Sequence, residues 1–180
     1  MYYTDYKFAY MIPEVLRVAQ EEIQQQDPTT FADLIWFEGQ YGHKLNEREV
    51  MKKWFAIPNL RAGKETEWSN KLPNLTSVAK ALPGIVNFSL NAIAPGGAVP
   101  EHSDYSYDMR KDLSGVDRVY VIVLGVNMPS EDINECGFKL GDKEFVIHTG
   151  DIIAFDGGIP HSAWNKTDKW RYTCLLYTSP

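Results

Sequence analysis

The chain reads as a mainly β protein with N-terminal helices, and three observations carry that reading. Apolar residues recur at three-to-four spacing before residue 84, and β-branched runs separated by turn formers follow it. Between them, Pro83-Gly84 marks the change, because proline cannot supply the next helical hydrogen bond and glycine reverses the chain cheaply. At 180 residues one domain is expected, with 1–83 a helical support region and 84–180 the β core.

In chain order, Val15, Leu16, Val18, Ala19 and Ile23 define the apolar stripe of a first helix that leaves through Gln24-Gln25-Gln26. Asn46 followed by Glu49 resembles a helix start leading into Val50, Met51, Trp54 and Phe55, and a short helix is predicted from Asn74 to Leu82. Strands are predicted at Ile85–Ile93, Arg118–Val126, Glu144–His148, Asp151–Asp156 and Trp170–Tyr177. Pro95-Gly96-Gly97, Gly141-Asp142, Thr149-Gly150-Asp151 and Gly157-Gly158 supply the turns. Helices packed on an antiparallel β-sandwich or barrel follow.

Composition excludes several classes. Hydrophobic residues at 44% and charged residues at 23% exclude a disordered or fibrous chain. A formal charge of −6 without a basic cluster argues against nucleic acid as a partner. Two cysteines, Cys136 and Cys174, are too few for a disulfide framework and suit a reducing cytoplasm. The N-terminus has no basic segment followed by an apolar one, and the longest apolar stretch, Val119–Val126, is short of a membrane span, so neither export nor a membrane partner is expected.

The chemistry concentrates in a few residues. In Pro100-Glu101-His102-Ser103-Asp104, an imidazole and a carboxylate two positions apart share one face of extended chain and can share a cation. His161, after Gly157-Gly158-Ile159-Pro160, supplies a second imidazole. Two imidazoles and one carboxylate form a facial triad that leaves adjacent coordination positions open, the arrangement of non-haem Fe(II) oxygenases. Ten residues further on, Arg171 sits in the apolar strand Trp170-Arg171-Tyr172-Thr173-Cys174-Leu175, where an unpaired charge is costly to bury. Strand alternation puts Arg171 and Thr173 on one face, a guanidinium fork and a hydroxyl able to grip the far carboxylate of a dicarboxylic acid. The plainer alternatives are a surface turn at His102-Ser103-Asp104, a loop-bonded His161, and an ion pair of Arg171 with Asp151, Asp156 or Asp168.

Taken jointly, Leu90-Asn91-Ala92-Ile93-Ala94-Pro95-Gly96-Gly97, His102-x-Asp104, Gly150-Asp151-Ile152-Ile153-Ala154-Phe155-Asp156, His161 and Arg171 resemble the aspartyl/asparaginyl β-hydroxylase family of Fe(II)- and 2-oxoglutarate-dependent oxygenases. The resemblance covers about Ile85 to Leu176. It implies a double-stranded β-helix, a cupin-like jelly roll, with His102, Asp104 and His161 as ligands of Fe(II) and Arg171 on the C5 carboxylate of 2-oxoglutarate. O2 is then the second cosubstrate, and succinate and CO2 are released as an amino acid, free or peptidyl, is hydroxylated. A carboxylate at Asp104, where the animal branch has glycine, resembles the small bacterial amino-acid hydroxylases. Arg118 and Tyr120 stand where that animal branch carries an arginine and a histidine, the latter helping to hold the cosubstrate, and so are further candidate cosubstrate contacts.

Other residues have ordinary expectations. His148 reads as a partly exposed strand histidine and His43 as solvent-exposed; Trp36, Phe37, Trp54, Phe55 and Trp68 read as core, with the lining of a substrate pocket as the alternative. Arg61–Lys71 is polar enough for a loop near the mouth, and Tyr105–Gly115 follows the first ligands closely enough to select substrate. The rivals to an oxygenase are a cupin-like metal or small-acid binding module without turnover, and a zinc or manganese cupin performing hydrolysis or isomerisation. Intact ligands and an intact arginine favour catalysis over the first, and the placement of Arg171 has no special reason in the second.

Overall fold

The structure, a computed structural model, describes residues 8–25, 53–104 and 120–178. Among the described residues two α-helices and ten strands order as α1 (Ile12–Gln25), β1 (Trp54–Arg61), β2 (Lys64–Glu65), α2 (Pro73–Ala81), β3 (Ile85–Ile93), β4 (Gly97–His102), β5 (Tyr120–Asn127), β6 (Cys136–Leu140), β7 (Lys143–Phe145), β8 (Ile152–Asp156), β9 (His161–Asn165) and β10 (Arg171–Thr178). One sheet has six strands in the order β2-β1-β3-β10-β5-β8, the other four in the order β4-β9-β6-β7, and every described pairing is antiparallel. The chain crosses between sheets at β3 to β4, β4 to β5, β5 to β6, β7 to β8, β8 to β9 and β9 to β10. That interleaving of two four-stranded faces, β3-β10-β5-β8 over β4-β9-β6-β7, is the double-stranded β-helix.

Period-two alternation splits the core into two layers. Phe88, Leu90, Ala92, Ile122, Leu124, Tyr172, Cys174 and Leu176 face outward from the large sheet and pack under Val15, Val18, Ala19 and Ile23 of α1 and Leu75 and Ala79 of α2. Ile93, Val121, Val123, Phe138, Phe155 and Ala163 face inward between the sheets. The helices therefore brace one wall of the barrel while the interior stays available for a ligand.

Several expectations change. Trp54 and Phe55, expected at the end of a helix, begin β1, and the helix start at Asn46–Met51 lies outside the described residues. β1 is buried on both faces, with Phe55 in the outer layer and Trp54 in the inner one, so its continuous apolar run mimics a buried helix. Because β1 pairs with β3, the large sheet begins well before residue 84. The strand expected at Glu144–His148 shortens to β7, and His148 turns outward, its Nδ1 2.9 Å from Asp151 Oδ2. β4, β6 and β9 were not among the predicted strands; β4 carries Pro100 and Glu101, which break an apolar pattern.

The segment Arg61–Lys71 is tied down by its own hydrogen bonds: Ser69 Oγ donates to Asn59 O at 2.7 Å and Thr76 Oγ1 to Ser69 O at 2.9 Å. It contributes nothing to the lining of the barrel cavity described next.

Candidate metal centre

β4 ends at His102 directly opposite His161, the first residue of β9, so the register itself brings the two imidazoles together. Their ring centroids lie 4.4 Å apart. Asp104, two residues past His102, is folded inward by its backbone N–H donating to Gly157 O at 2.8 Å. His102 Nε2 lies 3.2 Å from Asp104 Oδ1, and His161 Nε2 lies 3.4 Å from Asp104 Oδ2. The three ligand atoms fall within 4.8 Å of one another, close enough for one cation to touch all three.

The surroundings select the Nε2 atoms. His102 Nδ1 donates to Pro100 O and His161 Nδ1 to Ile159 O, each at 2.8 Å. A carbonyl only accepts, so each Nδ1 carries the hydrogen and each Nε2 carries the lone pair that a metal would take. Asp104 is 1% exposed, and neither carboxylate oxygen has a hydrogen-bond partner of good geometry. Burial alone would raise its carboxyl pKa, but the imidazoles of His102 and His161 outweigh burial and hold it below the ordinary value. For His161 burial pulls the imidazole down, and the Asp104 carboxylate outweighs it and raises the ring above its usual range. A buried carboxylate within 3.4 Å of two imidazole Nε2 atoms is a donor set for a divalent cation, and Fe(II) fits it.

A second charge lies in the same cavity. Arg171 is 3% exposed on the inner face of β10, and its Nε and Nη2 have no hydrogen-bond partner. Desolvation pulls its pKa below the ordinary arginine value, opposed by the neighbouring Cys136 thiol. None of the ion pairs weighed for it forms among the described residues: Asp151 is engaged by His148, and Asp156 Oδ1 accepts from Gly158 N–H at 2.9 Å. Thr173, also buried, stands beside Arg171 on the same wall, while Tyr172 faces the outer layer and stacks on Trp170 at 6.1 Å. Two orphaned donors on a buried cation make a receptor for a carboxylate.

The remaining candidates separate. Tyr120 opens β5 but stays out of the cavity lining, to which β5 contributes Val121 and Val123 instead. Those two alternate residues face inward, so Tyr120 is not placed to hold a diacid there. Arg118, His43, Trp36, Phe37 and Tyr105–Gly115 lie outside the described residues. Phe55 and Trp68 pack in or against the outer core as expected, whereas Trp54 also lines the cavity, its ring 6.0 Å from that of His102. Sequence reasoning also passed over Asn91, which lines the cavity on β3 and accepts from Trp54 Nε1 at 3.0 Å. The signal was alternation: Asn87, Ser89 and Asn91 fall on one face of β3, and Asn91 pairs with Thr173.

A double-stranded β-helix with a His-x-Asp pair and a distant histidine at one mouth defines a cupin-type protein with a metal-binding triad. A family model described as aspartyl/asparaginyl beta-hydroxylase matches residues 17–179, and the chain belongs to that family, a family of hydroxylases. Among curated proteins, the ornithine lipid ester-linked acyl 2-hydroxylase of Rhizobium tropici is 26% identical over 125 residues, 69% of this chain and 41% of that protein. The chain thus spans about two fifths of that relative's length.

Similar solved structures include the cupin domain of an XRE family transcriptional regulator from Enterobacter cloacae. It is 14% identical, covering 71% of this chain and 98% of that one, with a TM-score of 0.44. A cupin 2 conserved barrel domain protein from Salinispora arenicola is 18% identical, covering 52% and 62%, with a TM-score of 0.36. Among the described residues no helix is long and apolar enough to cross a membrane.

Proposed function

We propose that this protein is an Fe(II)- and 2-oxoglutarate-dependent dioxygenase that hydroxylates an amino acid, free or peptidyl. One observation carries the reading: a buried His-Asp-His triad and a buried arginine with two orphaned donors share one cavity. A triad alone fits many divalent metals, and an arginine alone fits many structural roles. Together they match a cosubstrate with a chelating end and a distal carboxylate.

His102, Asp104 and His161 would hold the ferrous ion, which when bound supplies oxygen activation and couples cosubstrate decarboxylation to C–H hydroxylation. The protein's residues do the rest. Pro100 O and Ile159 O orient the two imidazoles. Arg171 and Thr173 anchor the distal carboxylate and so fix which end of the diacid reaches the triad. Val99, Val121, Phe138 and Phe155 keep water from the interior.

The test is succinate formation from 2-oxoglutarate with Fe(II) and O2, alongside a mass-spectrometric screen for a gain of one oxygen. The screen spans free amino acids and cell-extract peptides. It includes ester-linked acyl substrates, for which the Rhizobium tropici relative is named and which the apolar lining would admit. Absence of turnover with all of them, with 2-oxoglutarate binding unaltered in Arg171→Ala, would sink the reading. Metal and diacid binding without any turnover would favour a binding or sensor module instead.

A further inference from the structure

The two halves of the triad come from segments over fifty residues apart in the chain, and both are fastened to a single turn. Three successive carbonyls of Gly157-Gly158-Ile159 each accept a hydrogen bond from a ligand-bearing segment. Gly157 O accepts from Asp104 N–H at 2.8 Å, Gly158 O from Ser103 Oγ at 3.1 Å, and Ile159 O from His161 Nδ1 at 2.8 Å. The turn is itself locked by Asp156, whose Oδ1 accepts from Gly158 N–H at 2.9 Å and whose backbone carbonyl accepts from Ile159 N–H at 3.0 Å.

Resting on the reading of the triad as a metal centre, we infer that Ser103 and Asp156 are positioning residues that set the spacing between the His102/Asp104 pair and His161. Backbone pairing alone does not fix that spacing, because the β4–β9 register, after a slip between Val99 and His102, ends at the His102–His161 pair and does not reach Asp104. Beyond the slip the described contacts from the Ser103–Asp104 segment to the turn are the Asp104 N–H and Ser103 hydroxyl bonds. The hydroxyl is the one a side-chain change removes. Asp156 acts one step further back: releasing Gly158 N–H lets the Gly157–Gly158 peptide rotate, and with it the Gly157 carbonyl that Asp104 N–H holds. The x of His-x-Asp is therefore part of the site, and metal ligands held by such outer contacts lose affinity when those contacts go.

The experiment titrates the full-length apoprotein with Co(II), reading affinity by chelator competition and geometry by d–d absorption. Thermal midpoints of the metal-free variants run in parallel. Ser103→Ala and Asp156→Ala are expected to weaken Co(II) binding about 10- to 100-fold and to alter the absorption band. The apo midpoint falls by no more than about 4 °C, the scale of one lost hydrogen bond in a domain this size. Ser103→Thr keeps the hydroxyl and Asp156→Asn keeps the Oδ1 acceptor, so both restore affinity to within about threefold on the same scale.

Wild-type affinity and spectrum in Ser103→Ala would overturn the inference, as would failure of Ser103→Thr to restore what alanine loses. A wild-type protein that does not bind Co(II) would instead remove the metal-centre reading itself. The wild-type titration comes first, so the two failures are told apart.

Discussion

Glu22, on α1, caps a different helix at Leu75: its Oε2 accepts from Leu75 N–H at 2.8 Å while Oε1 accepts from Asn74 N–H at 2.7 Å. Pro73 opens α2, and Leu72 before it offers no capping side chain, so the helix depends on a carboxylate from its neighbour. A buried acid is tolerated here because both oxygens are bonded and the positive end of the helix dipole faces it. Glu22→Ala is expected to cost about 2 kcal/mol, the sum of a lost cap and newly orphaned donors. Glu22→Gln, which keeps one acceptor, should cost less. Urea denaturation of the apoprotein measures both, and Co(II) affinity should not change in either.

Arg171 makes the opposite case, a buried charge whose removal should not harm the fold. Its unpartnered donors offer no stabilisation in the absence of an anion, and methionine replaces the stem with similar apolar volume. Arg171→Met should leave the apo midpoint unchanged or raised, yet weaken 2-oxoglutarate binding by about 100-fold, equivalent to about 3 kcal/mol for a lost charge-assisted pair. Calorimetry with Mn(II) and 2-oxoglutarate reads the second effect. Oxalate, which chelates but has no distal carboxylate, should bind the variant and the wild type alike.

Asp104 should divide metal from cosubstrate in the converse way. Asp104→Asn replaces one acceptor with an N–H2 donor facing imidazole nitrogens that the carbonyl bonds have left as acceptors. Co(II) affinity should fall about 100-fold or more, since both charge and one ligand oxygen are lost. Competition against a chelator checks this, and wild-type affinity would show that the carboxylate is not a ligand.

How far the sequence reached depends on what kind of interaction set each feature. α1, α2, β3, β5, β8 and β10 are long enough to print their periodicity, and their spans follow the apolar patterns closely. The three metal-site residues were legible because chemistry demands their types, and Arg171 because an apolar strand should not carry a bare charge. β4 and β9 escaped because polar residues interrupt them, Glu101 and His102 after Pro100 in β4 and His161, Ser162 and Asn165 in β9, so neither shows an apolar run. β1 was misread because burial on both faces erases alternation. The candidate Tyr120 lies one position from Val121, which takes the inward place, and a step of one residue along a strand reverses the face. The Glu22 cap joins residues 53 positions apart, beyond the reach of any local pattern.

Gly137 on β6 tests the side of the small sheet that faces away from the cavity. The Trp164 ring lies across it, so that a Cβ at Gly137 would fall 2.2 Å from Cζ2 and 2.5 Å from Cε2. The ring cannot easily move aside, because its Nε1 donates to Ile133 O at 2.8 Å and its strand, β9, is paired on both edges. Relief must therefore come from the backbone of β6 or β9, and β9 begins with His161. Gly137→Ala is expected to lose about 1–3 kcal/mol by overpacking, and to weaken Co(II) binding if the shift travels along β9 to its first residue. Trimming the indole separates the causes. In Gly137→Ala/Trp164→Leu the two substitutions should be less harmful together than the sum of each alone, a coupling of at least about 1 kcal/mol in a thermal or urea cycle. Strict additivity would mean that the ring is not what keeps position 137 a glycine.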